Sequence, residues 1–204
     1  MSRVVTEIVN ITFNPGTEVD KPMARLIEIL SQQEGLRRLK WGRWEEDANK
    51  VQMMINWDDI SSHYKFMEGS AYPGLLATLD GLLADAPALF HVHFDEKAIN
   101  RILDDPVVEL ATLHGITEGF EEAIDRTLAA GGESEGCLRY TRGDVVEEIS
   151  PSEAVPKGKA HYAAISWTSV QARMDATTKK EVQESGQAVV SKVGGYEVHH
   201  VKFQ

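Results

Sequence analysis

Apolar positions along the chain follow two rhythms. Val4–Phe13 (VVTEIVNITF) is a strand-like run of β-branched and apolar residues. Met23, Leu26, Ile27 and Leu30 then recur at helical spacing, with Asp20 placed to cap that helix, Pro22 in its first turn and Gly35 as its stop. LRRLKWGRWEED (Leu36–Asp47) and KVQMMINW (Lys50–Trp57) predict two strands about a turn at Asp47–Asn49. INWDDISSHYKFMEGSAYPGLL (Ile55–Leu76) carries a second helix, interrupted near Gly69 and Pro73, and ALFHVHF (Ala88–Phe94) is a last strand. The order is βαββαβ, a ferredoxin-like unit.

The same order is then written again. EGLRRLKWGRWEED (Glu34–Asp47) aligns with EGCLRYTRGDVVEE (Glu135–Glu148), pairing Gly35 with Gly136, Arg38 with Arg139 and Gly42 with Gly143. Trp57 matches Trp167, Glu7 matches Glu109, and FHVHF (Phe90–Phe94) matches HHVKF (His199–Phe203). Phe120, Ile124 and Leu128 mark the first helix of the second copy. The segment Asp95–Pro106 joins the copies, and the expected domains are residues 1–97 and 98–204. The second hairpin carries an extra loop, ISPSEAVPKG (Ile149–Gly158). A four-stranded sheet with both helices on one side leaves its other side bare, and a second copy can cover it. The expected fold is α+β: tandem ferredoxin-like repeats forming a pseudo-dimeric α+β barrel.

Composition narrows the function classes. A net charge of -11 disfavours nucleic acid and anionic membrane surfaces as partners. Cys137 is the single cysteine, which rules out an intrachain disulfide, and a small buried apolar role is expected for it. The N-terminus lacks a signal-peptide pattern, and no apolar run is long enough to span a bilayer, so a soluble, cytoplasmic protein is expected. No nucleotide-binding glycine loop or nucleophile elbow is present.

Several side chains can carry chemistry. His63 lies one helical turn before Met67, where it either faces solvent or enters a pocket as an acid or base. Tyr64 reads as a core or rim aromatic, and Tyr72 sits at the helix break. Met53 and Trp57 are apolar walls. His91 and His93 share one strand face, and a hydrogen-bonded place in the barrel interior is expected for them. An i, i+2 histidine pair can chelate, yet the spacing offers no third ligand, so no metal is expected. His114 ends a strand, and His161 is expected to be exposed.

A strand ending in Trp, a short acidic turn, then a helix with aromatics and a S-x-Y break (Ser70–Tyr72) resembles the dimeric α+β barrel superfamily. The likeness is to antibiotic-biosynthesis-monooxygenase-like domains, as two fused copies. That superfamily includes cofactor-free monooxygenases, polyketide cyclases, haem-degrading enzymes, isomerases and stress-responsive proteins. In the haem-degrading branch an Asn on the first strand and a Trp ending the third are similar to Asn10 and Trp57, but Leu76 stands where that branch has its iron-ligating His. The second copy has Thr112, Trp167 and Gly186 at those places. In the polyketide-cyclase branch the general-base His is replaced here by Tyr72. The resemblance thus implies a cofactor-independent tailoring enzyme of monooxygenase, cyclase or isomerase type, acting on an apolar oxygenated small molecule such as a polyketide. Asn10, His63 and Tyr72 would be catalytic, and Trp57, Tyr64, Met53, His91 and His93 would bind substrate. The alternative is a non-catalytic small-ligand-binding or stress-responsive barrel protein. One working pocket is expected, under the helices of the first copy, in a monomer with an internal pseudo-dimer or in a homodimer.

Overall fold

The computed structural model describes residues 3–152 and 154–204. Its chain divides into two compact units: one ends at His93 and includes Gln204, and the other runs Phe94–Phe203.

The first unit is β1 (Val5–Thr12), α1 (Asp20–Leu30), β2 (Leu36–Arg43), β3 (Lys50–Trp57), α2 (Ile60–Met67), α3 (Tyr72–Leu79) and β4 (Ala88–His93). Its strands pair antiparallel in the order β2-β3-β1-β4. Alternation sends Val5, Glu7, Val9 and Ile11 to the side covered by the helices, beside Trp57, Ile55, Met53 and Val51 of β3. Met23, Leu26 and Leu30 of α1, Phe66 of α2 and Leu79 of α3 close this core. On the opposite side Ile8, Met54, Phe90 and Val92 are also buried, and the Thr6 hydroxyl donates to Asn56 at 2.9 Å.

The second unit opens with α4 (Glu96–Ile102), which lies in the segment that joins the copies. It continues with β5 (Val107–His114), α5 (Phe120–Gly132), β6 (Cys137–Val145), β7 (Ala160–Trp167), α6 (Val170–Thr177), α7 (Lys180–Val190) and β8 (Gly195–Val201). Its strand order is β6-β7-β5-β8, again antiparallel. The two registers coincide: Val5 faces Trp57 as Val107 faces Trp167, and Glu7 faces His91 as Glu109 faces His200. The same bulge recurs between Leu36 and Arg38 and between Cys137 and Arg139. The extra loop is closed at its base by a bridge between Ile149 and Gly158; Glu153 within it lies outside the described residues.

Local chemistry explains the repeated landmarks. Gly35 and Gly136 sit at φ +84° and +83°, where an L side chain is strained. A Cβ on Gly35 would stand 2.5 Å from Ser62 Oγ, and one on Gly136 would stand 2.5 Å from the Ala172 Cβ. Asp59 caps α2 by accepting from Ser61 N–H, and Ser169 caps α6 by accepting from Ala172 N–H. The cap expected of Asp20 is corrected: the Glu18 carboxylate accepts the Asp20 and Lys21 amides, and Asp20 is itself the first helical residue. His161 is also corrected. It is 1% exposed, held by Asp144 Oδ1 at 3.0 Å and facing Arg142 at 3.2 Å, because β7 is an inner strand of its unit.

Gly35→Ala and Gly136→Ala should each lower stability by about 1–3 kcal/mol in denaturant unfolding, since the backbone strain and the contact act together. Burial pushes the imidazoles of His114 and His161 below their usual pKa. The unfolded chain then binds more protons below about pH 6.5, so stability present above that pH is lost as the solution is acidified. Melting curves from pH 7 to pH 5 should show this fall, with a shallower slope in His114→Leu.

Candidate functional site

The first unit encloses a cavity of about 300 Å³ beneath α2 and α3. Most of its wall is aliphatic or aromatic: Val9, Ile11, Leu26, Met53, Ile55, Phe66, Leu75 and Leu79. Two ionisable side chains reach it, Glu7 from the middle of β1 and His63 from α2, and Tyr72 joins from the first turn of α3. Its rim is apolar and exposed at Leu76 and Leu89.

The polar end is a chain of contacts. The Trp57 indole N–H donates to Glu7 Oε2 at 2.7 Å. Glu7 Oε1 lies 3.5 Å from His63 Nε2, and His63 Nδ1 lies 2.8 Å from His91 Nε2. Glu7, His63 and His91 are 4%, 2% and 1% exposed, so all three are withdrawn from water. A carboxylate only accepts, so the His63 nitrogen that faces it carries the proton, and His63 Nδ1 accepts from His91 when the ring is neutral. Trp57 also stacks on His63, with ring centroids 5.5 Å apart and planes at 19°. A short buried carboxylate–imidazole–imidazole series of this kind can hold a proton at a fixed place beside an apolar ligand.

The expected site residues separate into three groups. His63, Tyr72 and Met53 line the cavity. Trp57 and His91 stand behind it, gripping Glu7 and His63. Asn10, Tyr64 and His93 fall outside it. Asn10 is on the opposite side of β1 from Glu7 and Val9 because strand alternation puts it there. Its buried Oδ1 has no hydrogen-bond partner among the described residues. Tyr64 is 47% exposed on the outer side of α2, and His93 Nδ1 meets the Val4 carbonyl at 3.3 Å. His91 and His93 are on the helix-covered side of their sheet, where His91 is buried and hydrogen-bonded to His63. The third group beside His91 is not His93 but the pair Glu7 and His63, brought together by three separate elements. Glu7 served in the sequence only as a repeat marker. An acid inside an apolar strand, present in both copies, was the available signal.

The second unit repeats the frame with a different centre. The Trp167 indole donates to Glu109 Oε2 at 3.1 Å. At the helix position of His63 stands Arg173, whose Nε and terminal nitrogen donate to the two Glu109 oxygens at 2.7 and 2.9 Å. A cavity of about 240 Å³ adjoins this pair, somewhat smaller than the one beneath α2 and α3. Glu109 and burial together push the Cys137 thiol up, burial more strongly; that thiol is half-buried.

No protein-family model matches the sequence, and no curated protein sequence matches it. Solved structures do. An anthrone oxidase-like protein matches with a TM-score of 0.70 at 14% identity, covering 100% of this chain and 92% of that one. A candidate monooxygenase from Fusobacterium nucleatum gives 0.66 at 10% identity, over 99% and 93% of the two chains. A second, from Lactobacillus acidophilus, gives 0.58 at 10% identity, over 99% and 94%. The chain therefore shares the fold of these structures, an α+β fold built from two ferredoxin-like copies in tandem. Identities this low establish the fold and not the chemistry. Among the described residues no helix is long and apolar enough to cross a membrane.

Trp57→Phe removes the indole donor to a buried carboxylate and leaves space behind His63. It should cost about 2–4 kcal/mol, measured by chemical denaturation. Glu109→Gln should destabilise by about 2–3 kcal/mol, because the Arg173 guanidinium loses its counter-charge in a partly buried place. Glu7→Gln, which faces an imidazole able to stay neutral, should cost less than Glu109→Gln in the same assay.

Proposed function

We propose that the first cavity binds a flat, apolar, oxygenated small molecule of polyketide or phenolic type and that the protein is a cofactor-independent tailoring enzyme. The observation that carries this reading is the buried Glu7–His63–His91 series at one end of an otherwise apolar cavity of about 300 Å³. The apolar wall takes up the ring system, and the polar end acts on an acidic C–H or O–H of the ligand. Glu7 is the group that receives the proton, on the carboxylate that His63 and Trp57 hold in place, and His91 fixes the tautomer and orientation of His63. In this reading the hydroxyl of Tyr72, a residue of the cavity wall, stabilises the enolate or phenolate that results. Such an anion is electron-rich enough to react with dioxygen, and the same deprotonation begins cyclisation or isomerisation. The oxygenase outcome is favoured by analogy with the anthrone oxidase-like and candidate monooxygenase structures that share the fold. In the second copy Arg173 and Trp167 donate to both Glu109 oxygens, which favours the first copy as the place of the chemistry.

Oxygen uptake with an anthrone as probe substrate tests this reading. The native protein should accelerate uptake without added flavin, haem or metal. His63→Gln should lower the rate by roughly 100- to 10,000-fold, and Tyr72→Phe by roughly 10- to 1000-fold, with an unchanged melting curve. Full activity in both variants would place the chemistry elsewhere. Stabilisation by the anthrone without turnover would favour a binding protein.

A further inference from the structure

We propose that Glu7, His63 and His91 form a binding site for one divalent transition-metal ion of the zinc, cobalt or nickel type, at the polar end of the first cavity. The inference goes beyond the proposed enzymatic role and stands without it. One ligand atom from each of the three side chains lies within 4.8 Å of the other two, and all three side chains are buried. Ligands bound at about 2.0–2.2 Å stand about 3–3.5 Å from one another around an ion. His63 Nδ1 lies 2.8 Å from His91 Nε2 and Glu7 Oε1 lies 3.5 Å from the other ring nitrogen of His63, so a turn of the imidazoles and a closing-in of the carboxylate bring one ligand atom of each onto a single ion. Two imidazoles and one carboxylate suit borderline divalent ions and leave further coordination positions towards the cavity, which Glu7 and His63 line. Glu7 already has the support such ligands use, because Trp57 holds its other oxygen at 2.7 Å.

The second copy supplies an independent argument. There the matching Glu109 faces a guanidinium that completes the charge balance of the centre. At the same place in the first copy the partner is an imidazole, whose positive charge must come from a proton or from an ion. Another cluster, Glu121, Asp144 and His161, has comparable spacing, but Arg142 already lies against Glu121 at 2.6 Å and against His161 at 3.2 Å. Arginine thus stands at each of the other two centres, whereas the helix places the His63 imidazole against Glu7 at this one. An ion bound here takes the lone pairs that would receive a substrate proton, so metal and base catalysis exclude each other.

The test is titration of the metal-free full chain with Co²⁺, followed by visible d–d absorption. One ion per chain is expected, displaced by Zn²⁺. His91→Ala should weaken binding by at least roughly 100-fold, and Trp57→Phe by roughly 10-fold through the carboxylate it holds. His161→Ala should leave the signal intact. Glu7→Gln, which keeps the side-chain shape, replaces His91→Ala if that variant does not melt cooperatively. Absence of d–d bands at millimolar Co²⁺ overturns the proposal, and so do bands that survive His91→Ala or Glu7→Gln, or that vanish with His161→Ala.

Discussion

A tryptophan indole donating to a carboxylate in the middle of a sheet is the contact on which the rest of the molecule depends. Trp57 grips Glu7 at 2.7 Å, and Trp167 grips Glu109 at 3.1 Å. Burying a carboxylate among aliphatic side chains is costly unless donors meet it. The indole is one such donor, fixed by its own burial at the end of β3 or β7. The same contact ties the first strand of each unit to its third strand directly under the following helix. Both copies keep the Trp and the Glu because neither can change alone without stranding the other.

What differs is the residue that the helix lowers onto that carboxylate. Arg173 makes a two-pronged pair with Glu109, through Nε and a terminal nitrogen. His63 makes a looser approach to Glu7 and a close one to His91, and its charge can change. One frame therefore supports a guanidinium–carboxylate centre in the second copy and an imidazole–carboxylate centre in the first. The cavities beside them follow the same division, since the first is walled by aliphatic and aromatic groups while the second is partly lined by Thr127, Thr177 and Gln183.

Much of the architecture was legible because duplication amplifies weak signals. The paired glycines at 35 and 136, the tryptophans at 57 and 167 and the helix break between Gly69 and Pro73 all fall where alternation and turn chemistry put them. The site was half legible. His63, Tyr72 and Met53 lie on the cavity because helix periodicity and strand alternation point them there. Asn10 came from family likeness, and strand alternation sends it to the other side of β1. Glu7 and the approach of His91 to His63 were hidden because they depend on three elements meeting, which no local spacing records. His161 looked exposed as the start of a strand, yet β7 is flanked by β5 and β6, and the ring is enclosed.

The most direct test of this account is the melting temperature of His63→Arg, which carries the centre of the second copy into the first. If Glu7 is an ionised carboxylate held by Trp57 and facing a place for a cation, the arginine should pair with it as Arg173 pairs with Glu109. The variant should then melt at or above the native temperature. A fall of several degrees, with the fold otherwise intact, would contradict the claim that the two copies share one frame around a buried carboxylate.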